Sequence, residues 1–248
     1  MDALIIAAGF GSRLRELSDS KPLTPVAGIT LLELGVRQAK AAGVARVVVV
    51  TGHRADQIEA FLPELSAQAG IPVVSARVDD WTLPNGYSVM AGAAQIRGDY
   101  LLMMSDHIFA AEILTQLARQ GAADRGVTLA VDYRVDSPLV DPDDATWVKL
   151  DAAQRIVAIG KTIPTYDAVD CGAFLATPEL AAAIAAAIAA GKSGSLSDGM
   201  QLLADSGRAA TMDVGDAWWL DVDDPRAHAI AEAEAPARLS EIYGQNLA

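Results

Sequence analysis

The residues best equipped for chemistry follow one apolar run near the N-terminus. Leu4-Ile5-Ile6-Ala7-Ala8-Gly9-Phe10-Gly11-Ser12-Arg13, with Lys21-Pro22 after it, reads as a buried strand that opens into a glycine turn and then into cations. Gly9 and Gly11 carry no Cβ, so the backbone can bend sharply and bring its N–H groups close to a phosphate. Arg13 offers a planar fork of donors for phosphate oxygens, and Lys21 offers a point charge. Such a strand-end loop is an anion cradle; the bland alternative is a glycine turn beside two solvated bases. Leu14 stands where the dinucleotide pattern G-x-G-x-x-G needs a third glycine, and no Gly-Lys-Ser/Thr follows at Walker A spacing.

Carboxylates recur where a cation could complete such a site. Ser105-Asp106-His107 follows the apolar run Tyr100–Met104. A Mg²⁺ bound to a triphosphate takes only one or two protein carboxylates, so a single well-placed Asp106 is useful. Far downstream, Asp221 and Asp223 alternate at a strand end in Trp218-Trp219-Leu220-Asp221-Val222-Asp223-Asp224-Pro225 and so share a face. Of these, Asp223 is preferred as a second metal ligand and Asp221 is kept as the alternative. Asp224 reads as the cap of a helix opening at Pro225. His107 reads as a residue orienting the Asp106 loop, His53 as a loop residue beside the anion site, and His228 as a solvated helix residue. Asn85, in Leu83-Pro84-Asn85-Gly86-Tyr87-Ser88, could pair with a base edge, although Asn-Gly is also a common turn.

The elements that must position these groups alternate strand and helix through the first half. Strands are expected at Ala3–Ala8, Arg46–Val50, Pro72–Ala76 and Tyr100–Met104, and helices at Thr30–Ala42, Ala55–Ala69 and Gly86–Ile96. That pattern predicts an α/β fold with a mostly parallel sheet, whose ligands sit at the carboxyl ends of the strands. The loops at Gly9, Thr51, Asn85 and Asp106 should therefore share one crevice. The second half is richer in strands: Val127–Tyr133, Thr146–Leu150, Arg155–Gly160, Asp170–Ala176, Ala209–Val214 and Trp218–Val222. Its helices are expected at Leu180–Ala190, Leu196–Ser206 and Pro225–Ala235. No linker separates the halves, so a single domain is expected: residues 1–125, residues 126–235 and a tail, 236–248.

Composition narrows the function classes. The chain has 248 residues, 52% of them hydrophobic, and a net charge of −13. That acidity argues against a nucleic-acid surface, and it makes Arg13 and Lys21 more telling as local bases. Cys171 is the only cysteine, so no internal disulfide can form, which suits a reducing compartment. No basic n-region precedes the first strand, and Leu180–Ala190 is too short to span a bilayer. A cytoplasmic protein without membrane insertion is expected.

Ala7-Ala8-Gly9-Phe10-Gly11-Ser12-Arg13 with Lys21-Pro22 resembles the signature of the sugar-phosphate nucleotidyltransferases, which join a phosphorylated sugar or alcohol to a nucleoside triphosphate. A narrower resemblance runs from residue 1 to about residue 235. Asn85-Gly86-Tyr87-Ser88, Met104-Ser105-Asp106-His107, Ile159-Gly160-Lys161, the stretch from Asp167 to Phe174, Leu196-Ser197-Asp198 and Trp219-Leu220-Asp221-Val222-Asp223 resemble the CTP:inositol-1-phosphate cytidylyltransferases. Relatives that use dTTP or UTP carry a Gly-Thr-Ala-Gly-like run in place of Asn85–Ser88. Leu23-Thr24-Pro25 after Lys21-Pro22, and Cys171 in a position expected to hold Thr, depart from the pattern and bear on acceptor choice.

The resemblance implies a Rossmann-like three-layer sandwich with a mixed, mostly parallel sheet (the GT-A-like nucleotidyltransferase fold). It implies transfer of CMP from CTP to inositol 1-phosphate, giving CDP-inositol and pyrophosphate, with Mg²⁺ held by Asp106 and by Asp223 or Asp221. Ala7, Ala8, Gly9, Phe10, Gly11, Ser12, Arg13, Thr51, Asn85, Gly86, Ser88, Ser105 and Asp106 would bind the nucleotide. Arg13, Lys21 and Lys161 would be the catalytic cations, and Lys161, Asp170 and His107 would face the acceptor. A later step in phospholipid biosynthesis would fall to a separate membrane-bound CDP-alcohol phosphotransferase, and the enzyme would be a monomer or homodimer. The alternatives are another small phosphate acceptor (phosphocholine, a phosphonate, glycerol phosphate or a sugar 1-phosphate) and a nucleotide-binding regulatory protein without turnover.

Overall fold

The structure is a computed structural model that describes residues 1–15, 17–121 and 125–244. In the first half its elements are β1 (Asp2–Ala7), the ribbon β2 (Pro25–Val26) and β3 (Ile29–Thr30), α1 (Leu31–Ala41), β4 (Arg46–Thr51), α2 (Ala55–Ala69), β5 (Val73–Arg77) and α3 (Asn85–Ala93). β6 (Tyr100–Met104), β7 (His107–Phe109) and α4 (Ala111–Gln120) complete it. The second half holds β8 (Val127–Asp132), β9 (Trp147–Leu150), β10 (Ile156–Gly160), β11 (Ala168–Ala176), α5 (Pro178–Ala189) and α6 (Leu196–Asp205). It ends with β12 (Ala209–Asp213), β13 (Trp219–Asp221), α7 (Pro225–Arg238) and α8 (Ser240–Tyr243).

Among the described residues nine strands form one mixed sheet, with β10-β9-β11-β6-β1-β4-β5 as its main path, β8 branching from β11 and β12 pairing with β8 beyond it. β1 lies in the middle, parallel to β4 on one side and to β6 on the other. β11 runs antiparallel to β6 and so joins the two halves. Alternation along β1 explains the three layers. Ala3 and Ile5 enter the core beneath α1, α2 and α4, while Leu4 and Ile6 enter the core beneath α3, α5 and α6. The helix starts follow local chemistry: the Thr30 side chain accepts from the Glu33 N–H of α1, Ser195 and Asp198 form a reciprocal box on α6, and Asp224 accepts from the Ala227 N–H of α7.

A third core closes the front of the molecule. Leu34, Ile108, Leu220, Val222, Ala231 and Ile242 pack together there, drawing α1, α7 and α8 onto the small antiparallel ribbon β7–β13. The sequence reading leaves residues 108–126 unassigned, whereas α4 forms there with Ile113, Leu114 and Leu117 buried. The final helix also runs on to Arg238, and α8 packs behind it, where the Ile242 carbonyl accepts from Arg37 Nη1 at 3.1 Å. Residues 236–244 thus pack onto the domain through Leu239 and Ile242 rather than trailing as a tail. Residues 245–248 of the expected tail, and 122–124 at the expected boundary, lie outside the described residues. No helix among the described residues is long and apolar enough to cross a membrane.

Candidate active site

The strand ends deliver the glycine loop to one wall of a cavity of about 290 Å³. Ala7, Ala8, Gly9, Gly11, Ser12 and Arg13 line that wall, and Asn85, Ser88, Ser105 and Asp106 face it. Gly11 has φ +61°, and a Cβ there would lie 2.5 Å from Lys21 Cβ. Only glycine lets this loop fold down on the lysine.

Lys21 is 8% exposed and joins two carboxylates that are distant in sequence. Its Nζ donates to Asp106 Oδ2 at 2.6 Å and to Asp223 Oδ1. Burial alone would lower the Lys21 pKa, but Asp106, Asp221 and Asp223 overcome that and raise it. Burial would likewise raise Asp106, yet Lys21 and then His107 hold its carboxyl well below the usual range. Arg13 continues the network: Nη2 donates to Asp144 Oδ2 at 2.7 Å and also pairs with Asp223. Lys161 closes on the other oxygen of Asp144. Against the cost of burial, the bonds from Lys161 and Arg13 lower Asp144 to about 2.

A second cavity, of about 310 Å³, shares Arg13, Asp106 and Asp223 with the first. His107, Asp170 and Asp221 line it, together with Asp144, Lys161 and Arg226. The β7–β13 pairing sets this arrangement, because its register places Asp221 opposite His107. Just beyond it the Val222 N–H donates to the Asp106 carbonyl at 2.8 Å. His107 Nδ1 bonds Asp106 Oδ1 at 2.8 Å and stands 3.6 Å from Asp221 Oδ1. Burial would lower His107, but Asp221 and Asp106 raise it to about 9, so the ring carries its proton near neutral pH. Burial pushes Asp170 up to about 6, partly offset by the Gly172 N–H, and burial also raises Asp221.

Among the described residues two groups of side chains lie close enough to hold a metal ion: Asp106 with His107 and Asp221, where the imidazole would have to give up its proton to ligate, and the all-carboxylate set of Asp144, Asp221 and Asp223. In each group the ligand atoms lie within 4.8 Å of one another. Asp221 Oδ1 is buried and has no hydrogen-bond partner, and a carboxylate oxygen of that kind suits a hard cation such as Mg²⁺.

Several expected roles meet a different geometry. Thr51 is fully buried, and its hydroxyl donates to Glu59 Oε1 at 2.6 Å, so its side chain is turned from the cavity. Phe10 points to an aromatic group, with its ring 4.8 Å from His53 and 5.8 Å from Trp81. Gly86 packs between elements: a Cβ there would fall on the Gly194 carbonyl oxygen. Asn85 lines both cavities, but its Oδ1 accepts the Leu196 N–H at 2.8 Å, which leaves its amide donors for a ligand. His228 is tied down rather than solvated, with Nε2 2.8 Å from the Pro25 carbonyl. Sequence reading missed Trp81 and Arg226. An isolated tryptophan in the polar turn after β5 was the one available signal, for Trp81.

A family profile described as the MobA-like NTP transferase domain matches residues 3–201. The chain is 35% identical over 232 residues to the bifunctional IPC transferase and DIPP synthase of Rubrobacter xylanophilus, covering 93% of this chain and 51% of that protein. The corresponding protein of Aquifex aeolicus is 30% identical, with coverages of 90% and 49%. The chain thus spans about half the length of these relatives. The inositol-1-phosphate CTP transferase of T. maritima has the same fold, with a TM-score of 0.81 at 24% identity over 96% of this chain and 97% of that one. A putative glucose-1-phosphate thymidylyltransferase from Bacillus anthracis superimposes equally well, at 16% identity and 96% coverage of each chain. Because the matching family profile spans most of the residues, the chain belongs to the MobA-like NTP transferase family and is a nucleotidyltransferase.

Proposed function

We propose that this nucleotidyltransferase transfers CMP from CTP to inositol 1-phosphate, giving CDP-inositol and pyrophosphate. The observation that carries the reading is the pair of adjoining cavities that share Arg13, Asp106 and Asp223, with Lys21 Nζ held between the two carboxylates. One cavity has the glycine loop for a triphosphate. The other has cations for a phosphate and carboxylates for hydroxyl groups. The names of the Rubrobacter, Aquifex and T. maritima proteins support this choice of substrates.

An oxygen of the acceptor phosphate attacks the α-phosphorus of CTP in line. The bond from that phosphorus to the bridging oxygen breaks, and its electron pair leaves with pyrophosphate. The nucleophile is already an anion, so no general base is needed, and the protein contributes position and charge. The Gly9–Arg13 loop cradles the β- and γ-phosphates with backbone N–H groups and the Arg13 guanidinium. Lys21 neutralises charge at the α-phosphate or the acceptor phosphate. Lys161 holds the acceptor phosphate, while Asp170 and the protonated His107 bond its hydroxyl groups. Mg²⁺, held by Asp106 with Asp223 or Asp221, would supply Lewis-acid neutralisation of the phosphate oxygens.

Pyrophosphate release tests this, with each of the four ribonucleoside triphosphates crossed against inositol 1-phosphate, phosphocholine and glucose 1-phosphate in the presence of Mg²⁺. A signal confined to CTP with inositol 1-phosphate is expected. A signal with another acceptor corrects the substrate, and nucleotide binding without any turnover refutes catalysis. The expected product, a CDP-alcohol, is a substrate for a CDP-alcohol phosphotransferase, the class of enzyme we place next in sequence.

A further inference from the structure

The aromatic group beside the glycine loop has no part in the phosphate chemistry above. Trp81 is 37% exposed, whereas Trp147, Trp218 and Trp219 are 7%, 9% and 6% exposed. A large ring left open to solvent forfeits the stabilisation of burial. Its pose is nonetheless held from several sides. The Phe10 ring stacks on it at 5.8 Å and 11°, and His53 meets it edge-on at 5.0 Å. The guanidinium of Arg15 sits over Phe10, 4.7 Å from the ring centre. Gly52 leaves room for the tryptophan, since a Cβ there would lie 2.6 Å from Trp81 Cβ. Asp80 Oδ1 fixes the turn by accepting from the Thr82 N–H at 2.9 Å and from its hydroxyl at 2.5 Å.

Three strand ends converge to hold this one ring: β1 through Phe10, β4 through Gly52 and His53, and β5 through its own loop. The ring lines the same cavity as Gly9, Asn85 and Ser88. A nucleoside triphosphate with its phosphates on the Gly11–Lys21 side of that cavity leaves its base for the remaining wall. That wall offers one aromatic surface and, from Asn85, free amide donors.

We propose that the Trp81 indole is the stacking surface for the nucleobase, pre-set by Phe10 and His53, and that Asn85 and Ser88 read the base edge beside it. Trp81 is thus a nucleotide-positioning residue. Base–aromatic stacking tolerates any base, so Trp81 gives affinity and orientation while the polar neighbours give selectivity. This rests on the reading of the first cavity as a nucleoside triphosphate site.

The test uses the full chain and its tryptophan fluorescence. Each of the four ribonucleoside triphosphates, and inorganic tripolyphosphate, is titrated into the wild type and Trp81→Phe, and the difference isolates Trp81. Binding is followed independently by the shift in melting temperature. At least one nucleotide is expected to quench Trp81, while tripolyphosphate raises the melting temperature without quenching. Trp81→Ala is expected to raise KM for the nucleotide about tenfold or more, with kcat and the acceptor KM within about twofold, and Trp81→Phe is expected to restore most of the affinity. Equal quenching by tripolyphosphate, or a Trp81→Ala nucleotide KM within twofold of the wild type, overturns the proposal. Quenching by a nucleotide other than CTP keeps the stacking and corrects the substrate, whereas binding of none overturns both.

Discussion

Replacing Lys21 by Met keeps most of its length and removes one charge from the centre of the network. Nζ donates to Asp106 and Asp223, and only 8% of the residue is exposed. Removing one partner of a buried ion pair costs about 3–5 kcal/mol, because the remaining charges keep their desolvation penalty without its offset. For a chain of this size each kcal/mol moves the melting temperature by roughly 2–4 °C, so a fall of about 6–20 °C at pH 7.5 is expected. The pH dependence has a definite sign. In the wild type the Asp106 carboxyl is held below its ordinary value, so its stabilisation is full above about pH 4 and is lost as the pH falls through the lowered value. Without Lys21 that lowering shrinks, and the gap between variant and wild type is widest at neutral pH and narrows toward pH 3. Mg²⁺ should recover part of the loss in the variant by neutralising the same carboxylates. Turnover should fall by several powers of ten, with kcat rather than KM carrying the change. Calorimetry across pH, with and without Mg²⁺, measures the stability arm. A melting temperature within 2 °C of the wild type at pH 7.5 would refute the electrostatic account, and a loss confined to KM would refute the transition-state role.

Asp106→Asn is expected to lower pyrophosphate release at least about a thousandfold while the circular dichroism spectrum stays native; near-normal turnover would remove Asp106 from the site. Asp170 tests function against stability. Its pKa is raised to about 6, so its contribution is lost as the pH rises through that value, and Asp170→Asn should stabilise the fold at pH 7.5 by roughly 1–3 kcal/mol. The same variant should raise the KM of the acceptor but not of the nucleotide; a melting temperature that drops at pH 7.5 sinks this reasoning. Gly86→Ala places a methyl on the Gly194 carbonyl. It should reduce the yield of folded protein and the melting temperature, with nucleotide selectivity unchanged in whatever remains folded; a stable variant with altered base choice would return Gly86 to a binding role.

Local rules carried the reading far in this chain. Apolar runs of valine and isoleucine marked β1 and β4, and the glycine spacing marked the turn that follows β1. Asp224 before Pro225 marked its helix, where the side chain accepts from the Ala227 N–H at 2.7 Å. These features depend on backbone geometry within a few residues, which amino-acid type and spacing fix directly. The strand-to-helix alternation likewise pointed to the loops that line the two cavities, since parallel sheets gather their loops at one edge. Which side chain meets which was a different matter. Lys21 reaches Asp106 and Asp223 across 85 and 202 residues, and Arg13 reaches Asp144 across 131. No spacing encodes those meetings; they follow from sheet order and from the β7–β13 register that sets Asp221 opposite His107. The same holds for Thr51, Phe10 and Gly86, whose directions were decided by Glu59, Trp81 and Gly194. The sequence alone determined most of the strands, the glycine loop and the kinds of groups near it, because those are local. Only the tertiary structure decided their pairing, since burial allows a charge to persist only where the fold brings a partner to it.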